Sequence, residues 1–380
     1  MKVTSRLAAL PLTALVTFAS NAQQAPTPAD DAAAARANAE QSQQLQQQRE
    51  AQQRAAATQT PVVRSTISTI AGYPALPQES PCFSISSFAL TVPAALSDAA
   101  RSRGASARPL DPFAFAREWL DHYKHQCIGK EGIDTLTKGL QQTILSRGYV
   151  TTRVLVPQQD LSEGRLEFAL IPGVVHQMRF ADPRTRGTWK SAFPLGDGDL
   201  LNLRDLEQGL EQMKRVASQD VDMKIEPTDT PGESDVVLNV NRSKPWTFVA
   251  SIDNAGTEAT GKWQGNLSLG IDNPLGLNDI LMAGANQDLS FGNKSLGSHG
   301  FNGSYSVPFG YWTATLSGNT NTYYQNIAGV NQTFVSSGNS QTAALRIARA
   351  LTRSQNDVLG GYFQLSKRFG ESFIDDTTIP

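Results

Sequence analysis

The sequence predicts two small α+β units followed by an antiparallel β-barrel. Three observations carry this. From Pro81 to about Arg242, apolar residues at helical spacing alternate with short strand-like runs, and the pattern occurs twice. Beyond Arg242 the hydrophobic period switches to two and stays there. Only 18% of the residues are charged, while Gly, Ser, Thr, Asn and Gln are abundant, as in strands with one polar, watery face.

A chain of 380 residues is too long for one ordinary domain and suits two or three. A net charge of −2 lacks the basic excess of a nucleic-acid binder, so no nucleic-acid partner is expected. No segment after the first residues has 18 consecutive apolar residues, which excludes a helical membrane protein but not a barrel.

Residues 1–22 read as a secretory signal peptide. Lys2 and Arg6 precede the apolar run Leu7–Ala19, and Ser20-Asn21-Ala22 offers small residues for cleavage. The run is too short to span a bilayer, which needs about 20 residues. Residues 23–60 form an Ala/Gln-rich tract with no Gly or Pro between Asp30 and Thr58. Its composition favours helix. Leu45 is its only large apolar residue, so it has no stripe for a core and reads as a solvated helix, a helix in a polar channel, or disorder. Residues 61–78 read as a linker.

The first α+β unit, residues 79–172, has the expected order β-α-α-β-β. Phe83, Ile85, Phe88 and Leu90 lie in one strand-like run; Phe113, Phe115, Trp119 and Leu120 mark a first helix. Ile133, Leu136, Leu140, Ile144 and Leu145 mark a second helix, stopped by Gly148. Val150, Thr152, Val154 and Val156 alternate on one face of a strand, and Leu166–Ile171 returns after a polar turn. The second unit, residues 173–243, has a strand at Val174–Phe180 and a helix over Leu201–Val216 with Leu203, Leu206, Leu210 and Met213 on one stripe. Two further strands follow, Val221–Ile225 and Val236–Val240.

Cys82 and Cys127 are an even number of cysteines behind a secretory signal, which predicts a disulfide. His122, His125 and Cys127 match no zinc spacing, so no metal site is expected. Gly256 to Lys262 nearly spells a phosphate-binding loop, but Trp263 stands where Ser or Thr is required and a strand follows. No nucleophile–base pair is recognisable, so no catalytic residue, no cofactor and no enzyme activity are expected.

Residues 244–380 supply about seven candidate strands. Leu267, Leu269 and Ile271 oppose Asn266, Ser268 and Gly270; Phe301, Gly303 and Tyr305 oppose Asn302 and Ser304; Trp312, Ala314 and Leu316 oppose Thr313 and Thr315. A soluble sandwich also alternates. The small uncharged polar face, the aromatic residues at strand ends (Trp246, Trp263, Tyr311, Trp312) and short turns such as Pro308-Phe309-Gly310 favour a barrel.

Several strings carry a family resemblance. They are Pro81-Cys82-Phe83, Cys127-Ile-Gly-Lys-Glu-Gly-Ile133, Ser146-Arg-Gly-Tyr-Val-Thr-Thr-Arg153, Val156-Pro-Gln-Gln-Asp-Leu-Ser-Glu-Gly164 and Leu201-Asn-Leu-Arg-Asp-Leu-Glu-Gln-Gly-Leu-Glu-Gln212. Asp272-Asn-Pro-Leu-Gly276 and Tyr305-Ser-Val-Pro-Phe-Gly-Tyr-Trp312 follow in the strand region. The chain resembles the two-partner secretion transporters, the hemolysin secretion/activation proteins, over about residues 80–380. The resemblance implies α+β POTRA domains in the periplasm and an antiparallel transmembrane β-barrel in the outer membrane, with an N-terminal helix that can plug the pore. It implies export, without ATP and with or without activation, of a large β-helical partner such as a hemolysin, adhesin or contact-dependent toxin. The other expected partner is outer-membrane lipid, and the expected state is a monomer.

The family's barrel has about sixteen strands, and single-chain bacterial barrels have even numbers. An incomplete barrel of about seven strands is therefore expected, from a sequence fragment or a truncated gene. The family's Val-Arg-Gly-Tyr/Phe signature is missing; Arg147-Gly148-Tyr149 looks similar but lies in the first POTRA unit. The competing readings are a barrel-assembly insertase, which also carries POTRA units, and a soluble periplasmic binding module. Cargo binding is expected by strand addition to edges around Val150, Thr152 and Val154 and around Val236 and Leu238, with Arg204, Lys214 and Arg215 steering an acidic segment.

The tract at 30–58 offers no apolar face, so its deletion is expected to leave the melting transition of the α+β units unchanged. Calorimetry of the deleted chain checks this; a lowered transition would mean that the tract packs on them.

Overall fold

The computed structural model describes residues 72–104, 111–254, 256, 261–289, 297–328, 332–354, 357–375 and 377–379. The expected signal peptide, the Ala/Gln-rich tract and the linker up to residue 71 lie outside the described residues.

The first unit runs β1 (Phe83–Ile85), β2 (Ser87–Thr91), α1 (Asp98–Gly104), α2 (Ala114–Asp121), β3 (Gln126–Ile128), α3 (Lys130–Ser146), β4 (Arg153–Leu155) and β5 (Arg165–Ile171). Its main sheet has the order β2-β5-β4, with β2 parallel and β4 antiparallel to β5. The run at Phe83–Leu90 is two strands, not one. Ser86 turns to donate its N–H to the Gly164 carbonyl, and β1 leaves to pair with β3. Helix α1 carries no apolar stripe and was not predicted. Helices α2 and α3 bury Trp119, Leu120, Leu136, Leu140 and Ile144 against Leu166, Phe168 and Leu170. Gly139 permits this approach: a Cβ there would lie 2.7 Å from the Trp119 ring.

The segment 72–81 is a strap laid on this unit. The Tyr73 ring stacks on His122 with centroids 4.0 Å apart, Trp119 donates to the Gly72 carbonyl at 3.3 Å, and Tyr123 donates to Pro74 at 2.9 Å. Gly129 stands at the N-cap of α3 and has no side chain to cap it. Glu79 does so from the strap, accepting from the N–H groups of Gly129, Glu131 and Gly132 at 2.7–2.9 Å. Some desolvation raises its pKa, but these three donors outweigh it and hold the carboxyl below the usual glutamate range. The Cys82–Cys127 disulfide lies beside this contact, with Cα atoms 5.4 Å apart, and staples the strap's end to the β1–β3 ribbon.

The second unit comprises β6 (Val174–Phe180), α4 (Leu203–Lys214), β7 (Gln219–Pro227) and β8 (Glu233–Arg242). Its sheet order is β6-β8-β7, and α4 lays Leu206, Leu210 and Met213 on Val175, Val221, Val236 and Leu238.

Eight strands then form one antiparallel meander: β9 (Trp246–Asp253), β10 (Gln264–Asp272), β11 (Ile280–Asp288), β12 (Gly297–Phe309), β13 (Trp312–Ala328), β14 (Thr333–Arg353), β15 (Val358–Ile374) and β16 (Thr377–Ile379). The expected count of about seven omits the three-residue β16. Register aligns the faces. Phe248, Leu267, Leu281, Phe301, Leu316, Leu345 and Phe363 belong to one exposed apolar face. Asn266, Asn286, Asn302, Asn319 and Asn321 belong to the other. Gly284 and Gly300 make room there: a Cβ at either would collide with the amide oxygen of a neighbouring Asn. No helix among the described residues is long and apolar enough to cross a membrane.

Replacing Cys82 and Cys127 together by Ser is expected to destabilise the first unit by roughly 3–4 kcal/mol through loop entropy. Urea midpoints of the oxidised, reduced and substituted chain check it; coincident curves would refute it.

Candidate functional site at the domain joint

Helix α4 has an apolar stripe, as expected, but its opposite face is buried too. Arg204, Glu207, Gln208, Glu211 and Gln212 are all less than a tenth exposed. What covers them is one end of the strand sheet. Gln208 and Gln212 both donate to the Gly310 carbonyl at 3.2 Å, in the β12–β13 turn. Tyr311 of the same turn donates its hydroxyl to Asp205. Arg353, at the end of β14, pairs with Glu211 and donates to Gln208 at 3.2 Å. Arg215, just past the helix, donates to the Ser306 hydroxyl at 2.6 Å and to the Asn278 carbonyl at 3.2 Å.

The β10–β11 turn is built to receive these groups. Asn273 and Asn278 have positive φ, 54° and 58°, a region that Asn tolerates. Buried Asp279 accepts from the N–H groups of Leu275 and Leu277 and from the Tyr305 hydroxyl. Asn278 then donates to the Thr188 carbonyl at 2.7 Å and receives from Gln219 at 3.0 Å. Gly310 has φ 57°, and a Cβ there would lie 3.1 Å from Pro194. Burial raises the Asp205 carboxyl above the usual aspartate range; the Tyr311 hydrogen bond opposes this and Asp199 adds to it. Burial likewise pulls Arg215 down to about 10, which leaves it cationic at neutral pH.

The joint continues into the first unit. Gly148 ends α3 with φ 94°, its carbonyl accepts from Leu203 at 2.8 Å, and Asn202 donates to the Arg147 carbonyl at 3.1 Å. Asn202 also caps α4, accepting from the Arg204 N–H at 2.8 Å. Arg147-Gly148-Tyr149 thus closes the contact between the two units. Arg103 adds a second tie, to Asp199 at 2.6 Å.

These contacts correct several expected cargo-binding residues. Strand β8 lies between β6 and β7, so Val236 and Leu238 are on no edge; both are fully buried. Arg204 is buried and paired with Glu207 at 2.7 Å, and Arg215 is committed to the joint, so neither steers a ligand from the surface. Lys214 is partly exposed and pairs with Asp220 at 3.2 Å. Strand β4 is an edge, but a short one: Val150 lies in the preceding turn and packs against the second unit's core. Thr152 is buried and its hydroxyl accepts from the Gly173 N–H at 3.0 Å. The outward N–H of Val154 and the carbonyl of Thr152 are both taken by the Gln141 amide, at 3.0 and 2.8 Å. A side chain therefore occupies the place of a neighbouring strand.

Gln208, Gln212, Glu211, Asp205, Arg353 and Asn278 were not singled out by sequence reasoning, and Tyr311 was read only as a strand-end aromatic. No local signal marks their burial: Arg204 with Glu207 and Glu211 with Arg215 stand at the i,i+3 and i,i+4 spacings of an ordinary solvated helix face.

Arg353→Ala leaves Glu211 buried without this partner and is expected to cost about 3–5 kcal/mol. The double variant Arg353→Ala/Glu211→Ala should recover part of it. Denaturation of the refolded chain in detergent checks the cycle; additive losses would show that the pair does not couple.

Comparison with known proteins agrees with this architecture. Residues 103–173 match a ShlB-type POTRA domain, residues 174–227 a POTRA domain, and residues 232–380 the haemolysin secretion/activation protein ShlB/FhaC/HecB. The chain is 65% identical to the outer membrane transporter CdiB-2 of Burkholderia pseudomallei, over 99% of this chain and 64% of that protein. It is 30% identical to the hemolysin transporter protein ShlB of Serratia marcescens, over 63% of this chain and 40% of that protein. It superposes on CdiB from Escherichia coli with a TM-score of 0.70 and 29% identity, covering 94% of this chain and 62% of that one. The chain thus spans a little under two thirds of the length of the first two CdiB proteins. With two POTRA units fastened to an outward-apolar strand sheet, this chain belongs to the haemolysin secretion/activation protein family.

Proposed function

We propose that this chain works in two-partner secretion, moving a large secreted partner polypeptide across the outer membrane. The POTRA units lie in the periplasm and the strand sheet lies in the outer membrane. One observation carries the reading: a sheet with an exposed apolar face and an Asn-, Ser- and Thr-rich face is fastened at one end to both POTRA units through α4. A soluble module does not leave Phe248, Leu316, Phe363 and Leu365 more than half exposed on one face. Lipid covers that face, and the polar face lines the route of the partner.

Transport by this route needs no catalytic group, ATP or cofactor from the chain. The partner passes unfolded and forms its β-helix outside, and the transporter acts as a monomer. The chemistry of the partner follows from the polar face: asparagine, serine and threonine hydrogen-bond to a moving peptide backbone without holding it by charge.

The first contact with the partner is at β4. An extended segment pairs with this edge by displacing the Gln141 amide from Val154 and Thr152. Gln141→Ala is expected to raise partner binding several-fold, since the edge no longer has to be uncovered, and Val154→Pro to abolish it by removing the outward donor. Pull-down of the secreted partner and its appearance in the medium provide the readouts. Unchanged binding by both variants, with the first unit folded by circular dichroism, would remove β4 from the mechanism.

A further inference from the structure

Two cations lie on tryptophan faces at the end of the sheet that abuts the POTRA units. The Lys244 Nζ is 3.3 Å from the Trp246 ring centroid, and the Arg349 Cζ is 4.7 Å from that of Trp312. Trp246 begins β9 and Trp312 begins β13; both belong to the apolar face, and both are nearly half exposed. Arg349 stands opposite Trp312 in the β13–β14 register and so projects from that same face.

The surroundings of Arg349 form a notch. Its partner on the other side is Gly361, where a Cβ would have only Leu351 within 4 Å. The pairing slips between Ala350 and Thr352, which frees Leu351 from the ladder. Leu351 and Leu359 flank the notch, exposed by 55% and 60%. Among the described residues, neither Lys244 nor Arg349 makes an ion pair. An aromatic face attracts a cation but accepts few of its N–H bonds. The guanidinium fork and the ammonium thus face the membrane with donors to spare, at the depth where tryptophan marks the boundary between hydrocarbon and headgroups. The group of matching charge, geometry and depth there is a lipid phosphate, which an arginine can hold by two parallel bonds.

We propose that Arg349 on Trp312 and Lys244 on Trp246 are binding sites for the phosphate of phospholipid headgroups in the periplasmic leaflet. The proposal rests on the outer-membrane reading above. Its consequence is mechanical: headgroups held at β9 and β14 fix the depth of the sheet end to which the POTRA units are fastened.

The test uses the whole chain in neutral detergent, titrated with phosphatidylglycerol and followed by tryptophan fluorescence. Arg349→Gln and Lys244→Gln are each expected to weaken the apparent affinity about fivefold, the effect of one cation at an anionic surface. Arg349→Lys, which keeps the charge and packing length, should fall between; it also serves if the glutamine variants do not fold. Inorganic phosphate is expected not to compete at millimolar concentration. Equal affinity in wild type and the folded variants overturns the proposal, and so does competition by inorganic phosphate, which would mean a site for the free anion. Insertion into phosphatidylcholine vesicles is scored separately: failure of the wild type there counts against the outer-membrane reading, whereas normal insertion with unchanged lipid affinity overturns the headgroup sites alone.

Discussion

Helix α4 is buried on both faces, and the two faces are buried by different chemistry. Leu206, Leu210 and Met213 go down onto a small sheet as in any α+β unit. Gln208, Glu211 and Gln212 go up onto the turns of the strand meander, where they meet a carbonyl, an arginine and a tyrosine-bearing loop. Apolar burial is tolerant of sliding, because area is all that it rewards. Buried hydrogen bonds and ion pairs are not, because a shift of one residue leaves donors and acceptors stranded in a low dielectric. The polar face therefore sets the position of the POTRA unit on the sheet, and the apolar face holds the unit together.

From this joint the constraint spreads in both directions. Asn202 caps α4 and reaches back to Arg147, so the end of α3 and the start of α4 share one contact. The strap at 72–81 does the same at the other end of α3, where Glu79 replaces the cap that Gly129 lacks. Helix α3 is thereby tied at its N-terminus to the incoming chain and at its C-terminus to the second unit. The disulfide beside Glu79 secures the first of these ties by a bond that unfolding does not break.

The sheet obeys another rule. Its exposed apolar face would be a liability in water and is a requirement in lipid, while its polar face avoids formal charge over much of its area. The glycines at 284 and 300 spare the space that facing asparagine amides fill. At the end near the POTRA units the aromatic residues change role, since Trp246 and Trp312 carry cations on their rings instead of packing against one another.

Period and composition in the sequence alone determined the α+β units, the switch to alternating strands at about Arg242, and the cysteine pair, because each depends on local patterns or on residue count. Parts of the longer strands were less legible: β13 and β14 include runs rich in Ser, Asn, Thr and Gly, at 317–322 and 336–342, that resemble loops until a neighbour supplies their hydrogen bonds. The expected edge at Val236 and Leu238 failed for a related reason. An apolar alternating strand reads the same in the centre of a sheet as at its margin, and only the order β6-β8-β7 tells them apart. Likewise Arg204 and Arg215 read as surface charge, because a charged residue signals burial only when its partners, here Glu207 and the distant Ser306 and Asn278, are brought to it. The tertiary structure decided which polar residues face water and which face one another, since that depends on contacts across roughly 100 residues of chain, as between Gln208 and Gly310.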